Sequence, residues 1–284
     1  MNIRRRNLPR GWYPVEKREC QREIESFLEG WSPPSGLKGL KGGMVPHAGW
    51  YFSGKLAARV FHLLKQSAGK VDLIVLYGGH LGPDDLPRMV MENQWETPFG
   101  PMEIDTEVSK ELGRRIDLKP ESPASGDNTL EIHLPMLRYF FPNSKLLTIR
   151  SPSSLQAIAL GEEVGRISKQ KGLSLLAVGS TDLTHYGPNY GFVSRGTGPS
   201  ALRWVREEND RKFIDFALKM DAEGLIAHAN EQDSACSAGA AASAIATCKY
   251  LGSVKGRLID YYTSYDILPD ESFVGYAGIV YEGG

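Results

Sequence analysis

No apolar run in this chain of 284 residues approaches the ~20 residues that a membrane-spanning helix needs. The basic start runs into L-P-R-G-W-Y-P instead of an apolar stretch, so no secretory signal is expected. Charge of one sign is missing too. A formal net charge of −1 removes the electrostatic reason to expect nucleic acid or an anionic membrane as partner. Arg4-Arg5-Arg6 is the one basic cluster, and at a terminus it reads as a solvated, frayed end. Only three cysteines occur, Cys20, Cys236 and Cys248, too few for a disulfide framework. With no export signal, they place the chain in a reducing, cytoplasmic setting. Neither C-x-x-C nor H-E-x-x-H is present, so no local spacing announces a metal. There is no internal repeat and no break in composition, which favours one domain over residues 1–284.

What is present is a soluble globular composition, 41% hydrophobic and 24% charged, enough to bury a core without staples. One piece of grammar recurs three times. Met44 and Val45 stop at Pro46 and His47, and an amphipathic segment from Lys55 to Gln66 follows. Val71–Tyr77 is an unbroken apolar run that ends in Gly78-Gly79-His80. Ser174–Val178 is another, ending in Gly179-Ser180-Thr181-Asp182 with His185 just beyond. Short apolar runs bounded by turn residues are what central strands of a parallel sheet look like. In open α/β sheets the ligand sits in the crevice outside the carboxyl ends of such strands. The expected fold is therefore α/β, with a central, mostly parallel or mixed sheet flanked by helices, and three strand ends point at one crevice.

The remaining chain fills in that plan. Helices are expected at Lys17–Leu28, Glu107–Ile116, Thr129–Phe140, Leu155–Gln170, Ala201–Met220 and Ser234–Tyr250. Strands are expected at Arg88–Glu92, Lys145–Arg150, Arg257–Thr263 and Phe273–Tyr281, with a hairpin over Gln94–Asp105. Asn128 with Glu131 fits an N-terminal capping pair. Gly187–Pro199, rich in Gly, Pro and Ser, is a lid or rim beside the crevice. The Ser234–Tyr250 helix is dense in small residues, so neighbouring backbones can approach it closely.

Cys236 falls in the first turn of that helix, where the helix end favours a thiolate, the form that ligates metal. Two strand-end histidines, His47 and His80, plus such a cysteine make a three-ligand site with an open position. Asp182 and His185 could then add an oxygen ligand, orient a ligand, or act as general acid and base. Each residue has a plainer alternative. His62 and His228 fit ordinary helix positions, His133 fits a structural role, and Cys20 and Cys248 fit inert core. Asp127 and Asn128 fit helix caps, and Trp12 and Tyr13 fit packing anchors.

These motifs resemble those of the Memo family, whose bacterial and archaeal members are called AmmeMemoRadiSam system protein B. The resemblance is carried in order by G-W-Y-P (Gly11–Pro14), P-H-A-G-W-Y-F-S-G (Pro46–Gly54) and Y-G-G-H-L-G-P (Tyr77–Pro83). It continues through W-E-T-P-F-G (Trp95–Gly100), L-E-I-H-L-P (Leu130–Pro135), S-T-D-L-T-H-Y-G (Ser180–Gly187), the Cys236 segment and S-F-V-G-Y-A (Ser272–Ala277). It implies a fold like that of the class III extradiol dioxygenases, which are non-haem iron enzymes. By position, His47, His80 and Cys236 match the family's metal-coordinating residues, Asp182 and His185 its other pocket residues, and Trp12 an aromatic at the rim. Many members have Glu-His-Ser where this chain has Asp127-Asn128-Thr129, so Asn128 stands in place of a pocket histidine. Ser237 stands where Gly commonly follows the cysteine. A cysteine as third ligand also departs from ring-cleaving dioxygenases, whose iron is held by two His and one carboxylate.

Two functional readings follow. One is a metal-dependent redox enzyme, with Fe(II) as the expected cofactor and copper or zinc as alternatives, acting on a small molecule or peptide at a pocket that includes Trp12 and Asn128. The other is a non-catalytic, Memo-type adaptor that uses the same pocket for peptide or protein binding. The family name further implies association with a radical S-adenosylmethionine protein.

Overall fold

The computed structural model describes residues 2–284. Four parallel strands form its centre in the spatial order Gly42–Val45, Leu175–Ser180, Leu73–Leu81, Lys145–Pro152. The long strand Phe273–Gly283 lies antiparallel beside Gly42–Val45, with Ile279 opposite Met44, and carries Ser253–Thr263 on its other side. At the far end Arg88–Met89 runs antiparallel to Lys145–Pro152 and pairs with Lys119–Pro120. The sheet is mixed, with helices on both faces, as the strand grammar implies.

Side chains of the central strands alternate between two cores. Leu73, Val75 and Tyr77 enter one, with the helices Gln156–Lys171 and Ala238–Tyr250. Ile74 and Leu76 enter the other, with the helices Lys17–Ser26 and Trp50–Ser67. Burial on both faces is why these runs carry no polar alternation. The small residues of Ala238–Tyr250 do bring backbones together. A Cβ added at Gly161 would come within 2.3 Å of the Ser243 carbonyl oxygen, and Ser243 Oγ reaches the Ala157 carbonyl at 2.8 Å. No helix among the described residues is long and apolar enough to cross a membrane.

Several expectations are corrected. The Thr129–Phe140 helix is two pieces, Asn128–Glu131 and Leu134–Phe140. Pro135 has no N–H to donate to the Glu131 carbonyl, and its ring obstructs that turn. The cap is Asp127, whose carboxylate accepts from Thr129 N at 3.0 Å, and not Asn128. Glu131 takes no part in a capping box. It accepts from Tyr13 Oη at 2.9 Å and from the Asn7 and Leu8 amides at 2.8 and 3.0 Å.

The helix after His47 opens at Trp50, five residues before the expected Lys55, with the Trp50 indole donating to the Ile132 carbonyl at 3.1 Å. The expected Ala201–Met220 helix is interrupted by a π-helical stretch, Val205–Asn209. Arg4 is not a solvated end residue. It is 4% exposed, in a small sheet with Gln94–Trp95 and Met102–Glu103, its guanidinium 4.6 Å from the Trp95 ring centre. Arg5 does project into solvent.

Candidate metal centre

Gly42–Val45, Leu175–Ser180 and Leu73–Leu81 are neighbours in the sheet, so their carboxyl ends converge. The convergence places His47, His80, Asp182 and His185 around one cavity of about 460 Å³, which Trp12 and Asn128 also line. Cys236 arrives from the other side. A backbone bridge between Leu183 and Ala235 and a hydrogen bond from Cys236 N to the Asp182 carbonyl (3.2 Å) hold it there. One ligand atom each from His47, His80 and Cys236 lies within 4.8 Å of the others. The His47 Nε2 to Cys236 Sγ distance is 3.2 Å, near the ~3.5 Å edge that metal–nitrogen and metal–sulfur bonds of about 2.1 and 2.3 Å give a tetrahedral site.

Cys236 does not lie in a helix. The helix opens at Ala238, and Ser237 before it is non-helical. The thiolate is therefore favoured by its neighbours rather than by a helix end. Burial would push the Cys236 thiol up, but the charge on His47 and hydrogen bonds from His47 and His80 draw it well below its ordinary value. Gly79 matters here, because a Cβ on it would sit 2.1 Å from Ser237 Oγ. The close approach of the His80 strand end to the Cys236 segment requires a glycine.

Each imidazole is aimed by a group behind it. His47 Nδ1 meets Ser180 Oγ at 3.0 Å, and Ser180 Oγ meets His133 Nε2 at 2.9 Å. Ligation through His47 Nε2 requires Nδ1–H to be donated to Ser180, whose hydroxyl then donates to His133. Burial holds His133 down to about 3, so it is neutral and able to accept. His80 Nδ1 lies 3.0 Å from Asp127 Oδ2. Burial opposes charge on His80, and the hydrogen bond to Asp127 together with Cys236 raises it to about 10. His80 also has φ +59, a left-handed conformation that costs a non-glycine residue of order 1 kcal/mol. Arg150 secures that turn. Its guanidinium donates to the Gly79 and His80 carbonyls at 2.7 and 3.3 Å and pairs with Asp127 at 3.2 Å and Glu121 at 3.1 Å.

Asp182 is 4% exposed and accepts the His47 amide at 2.6 Å through Oδ1. Its Oδ2 stands 3.9 Å from His47 Nε2 and 3.8 Å from His185 Nε2. Burial would raise the Asp182 carboxyl, but the charges on His47 and His185 hold it below its ordinary value. Burial would likewise lower His185, and the Asp182 carboxylate raises it. The loop bearing both residues is gripped from behind: Thr184 N donates to Asp210 Oδ1 at 3.1 Å, and Asn209 Nδ2 donates to Thr184 Oγ1 at 3.0 Å.

Asn128 Nδ2 donates to the His47 carbonyl at 2.9 Å, so it braces the His47 turn as well as facing the cavity. Gly187–Pro199 forms the rim. Tyr190 in it packs at a tilt against His185 with ring centres 5.0 Å apart, and Tyr186 Oη ties the loop to the Gly196 carbonyl at 2.9 Å.

The structure thus brings together all seven residues singled out in the sequence. Sequence reasoning missed Ser180, His133 and Arg150 as supports and took Asp127 for a cap alone. Ser180 and Arg150 also stand at or near strand carboxyl ends, and that shared position is the signal that could have found them.

Curated relatives match the chain over nearly its whole length. A MEMO1 family protein of Methanothermobacter thermautotrophicus is 29% identical over 97% of this chain and 99% of its own length. One from Nitrosopumilus maritimus is 32% identical over 94% of this chain and 95% of its own. The crystal structure of an uncharacterized protein from Escherichia coli K12 shows a partial likeness, with a TM-score of 0.46 and 10% identity over 78% of this chain and 91% of that one. The family described as Memo-like protein matches residues 4–280, a span that holds every residue of the centre, and the chain belongs to that family.

Proposed function

We propose that this protein is a metal-dependent redox enzyme of the non-haem iron type, acting on an organic substrate in the cavity above His47 and His80. One observation carries the reading: two imidazoles and a thiolate meet within 4.8 Å beside a cavity of about 460 Å³. Iron held by His47, His80 and Cys236 would supply electron transfer between substrate and an oxidant, dioxygenase-like chemistry included. Copper and zinc suit the same donors, and zinc would redirect the reading toward hydrolysis.

The chain's own residues have separable tasks. Ser180 and Asp127 fix the ring orientation and tautomer of His47 and His80, as carboxylates and hydroxyls behind metal-bound imidazoles do. His185, which lines the cavity partly exposed and packs against Tyr190, serves as proton donor or acceptor for substrate. Asp182 stabilises the protonated form of that ring and, through the His47 amide, locks the first ligand to the second strand end.

Elemental analysis of protein purified anaerobically without added metal tests the proposal, alongside His47→Ala and Cys236→Ala. Near-stoichiometric iron in the parent and none in either variant is the expected result. A parent that carries no metal and takes none up on titration would overturn it and leave the cavity as a peptide- or protein-binding pocket.

A further inference from the structure

We propose that the metal centre has a second entrance, a groove on the Cys236 side through which a small uncharged oxidant of dioxygen size arrives while the organic substrate fills the cavity on the histidine side. The inference rests on the redox reading above. That reading needs two reactants at one centre, and a substrate lying over His47 and His80 covers the approach that the cavity provides.

The groove holds about 400 Å³, and it sorts the three ligands. Cys236 lines the groove and not the cavity, whereas His47 and His80 line the cavity and not the groove. Cys236 is also only half-buried, while His47 is 1% exposed. With Cys236 Sγ 3.2 Å from His47 Nε2, a molecule that reaches the sulfur from the groove stands at the edge of the centre. His185 and Tyr190 line both spaces, their ring centres 5.0 Å apart. This pair is the partition between the two entrances. The loop that carries Tyr190 is closed behind it, where the Gly187 amide donates to the Phe192 carbonyl at 2.8 Å.

The lining indicates what the groove admits. Leu183, Phe192, Ala235 and the Tyr190 ring give it apolar walls, and neither lysine nor arginine lines it. Of its ionisable groups, His185 and Asp233 carry opposite charge, and the Cys236 thiolate is offset by the ion it holds. No net charge is left to sort molecules by sign, so size and polarity do the sorting. Ala235 bears the shortest side chain in the wall, and its backbone bridge to Leu183 fixes its place beside Cys236. A large residue there would close the groove without touching the cavity.

Blocking each opening in turn tests the proposal. In metal-free protein, Ala235→Trp should slow iodoacetamide alkylation of Cys236 about tenfold or more, and Phe192→Ala should speed it about two- to fivefold. Leu268→Trp, at an exposed position on the cavity wall, should leave the rate within about twofold of the parent. Each protein is then loaded anaerobically with Fe(II), its iron content measured, and mixed in stopped flow with nitric oxide, an uncharged stand-in for dioxygen. At equal iron content the nitric oxide rates should follow the same order. The proposal is overturned if Ala235→Trp leaves both rates unchanged, or if Leu268→Trp slows them as much. A parent that takes up no iron would overturn the metal reading and the oxidant's role with it, while the alkylation rates still decide whether the groove reaches Cys236.

Discussion

Cys236 and Cys248 stand just before and near the end of one helix, Ala238–Tyr250, and the same side chain has opposite chemistry at the two places. Cys248 is fully buried among small and apolar neighbours, 4.0 Å from the Ala177 carbonyl, and burial drives its thiol far up. Cys236 is only half-buried, and its thiol is driven down because His47 stands 3.2 Å away. Burial alone therefore accounts for Cys248 and not for Cys236. What decides is whether an opposite charge is buried with the group. The acids repeat the lesson: Asp182, facing two imidazoles, is held low, whereas Asp210, facing hydroxyls and an amide, is raised to about 7.

The sharpest way to break the contrast is to delete each thiol. Cys236→Ala should remove bound metal completely, and Cys248→Ala should leave the metal content of the parent, both by elemental analysis. Next in size is reactivity. In metal-free native protein at pH 7, iodoacetamide should alkylate Cys236 at least about a thousandfold faster than Cys20, whose thiol burial lifts to about 12. Cys248 should react only after unfolding, and peptide mass spectrometry reads all three. Asp127→Asn weakens the support behind His80 without touching a ligand atom, and should lower metal affinity about 10- to 100-fold in a competition titration.

Smaller effects concern stability. Cys248→Ala should cost about 1 kcal/mol in denaturant unfolding, the loss of one small buried group. Cys236→Ala in metal-free protein should cost more than Cys248→Ala, because it leaves the buried His47 imidazole without its thiolate partner. For Asp210 the sign follows from its raised value. Its contribution to stability is fully present below its ordinary 3.8 and is lost as pH rises through about 7. Unfolding free energy across that window should therefore fall more steeply in the parent than in Asp210→Asn. Equal slopes would show that the neighbouring hydroxyls already satisfy the charge.

The strand ends were legible because a buried parallel strand writes its length and its stop into consecutive residues, and His47, His80, Asp182 and His185 follow such stops directly. Cys236 was legible through its motif, although its placement in a helix was wrong. The supporting groups were hidden because their partners are remote: Asp127 meets His80 across 47 positions, Arg150 meets Gly79 across 71 and Ser180 meets His47 across 133. No local period encodes such meetings. The split at Pro135 was readable from the ring chemistry of proline. The π-helical stretch was not, since Asn209 and Asp210 at its end bond Thr184, a partner 25 and 26 positions away.

The pairing of Phe273–Gly283 with Gly42–Val45 sets a schedule for synthesis. The strand that leads to His47 leaves the ribosome early, but the neighbour that closes its open edge, and supplies Val274 and Tyr276 to the cavity wall, is made more than two hundred residues later. Until then a nascent chain exposes an apolar strand edge, the kind of surface that chaperones hold. A nascent-chain series should accordingly gain protease resistance abruptly, once the residues around Ile279 have cleared the exit tunnel, and not in proportion to length.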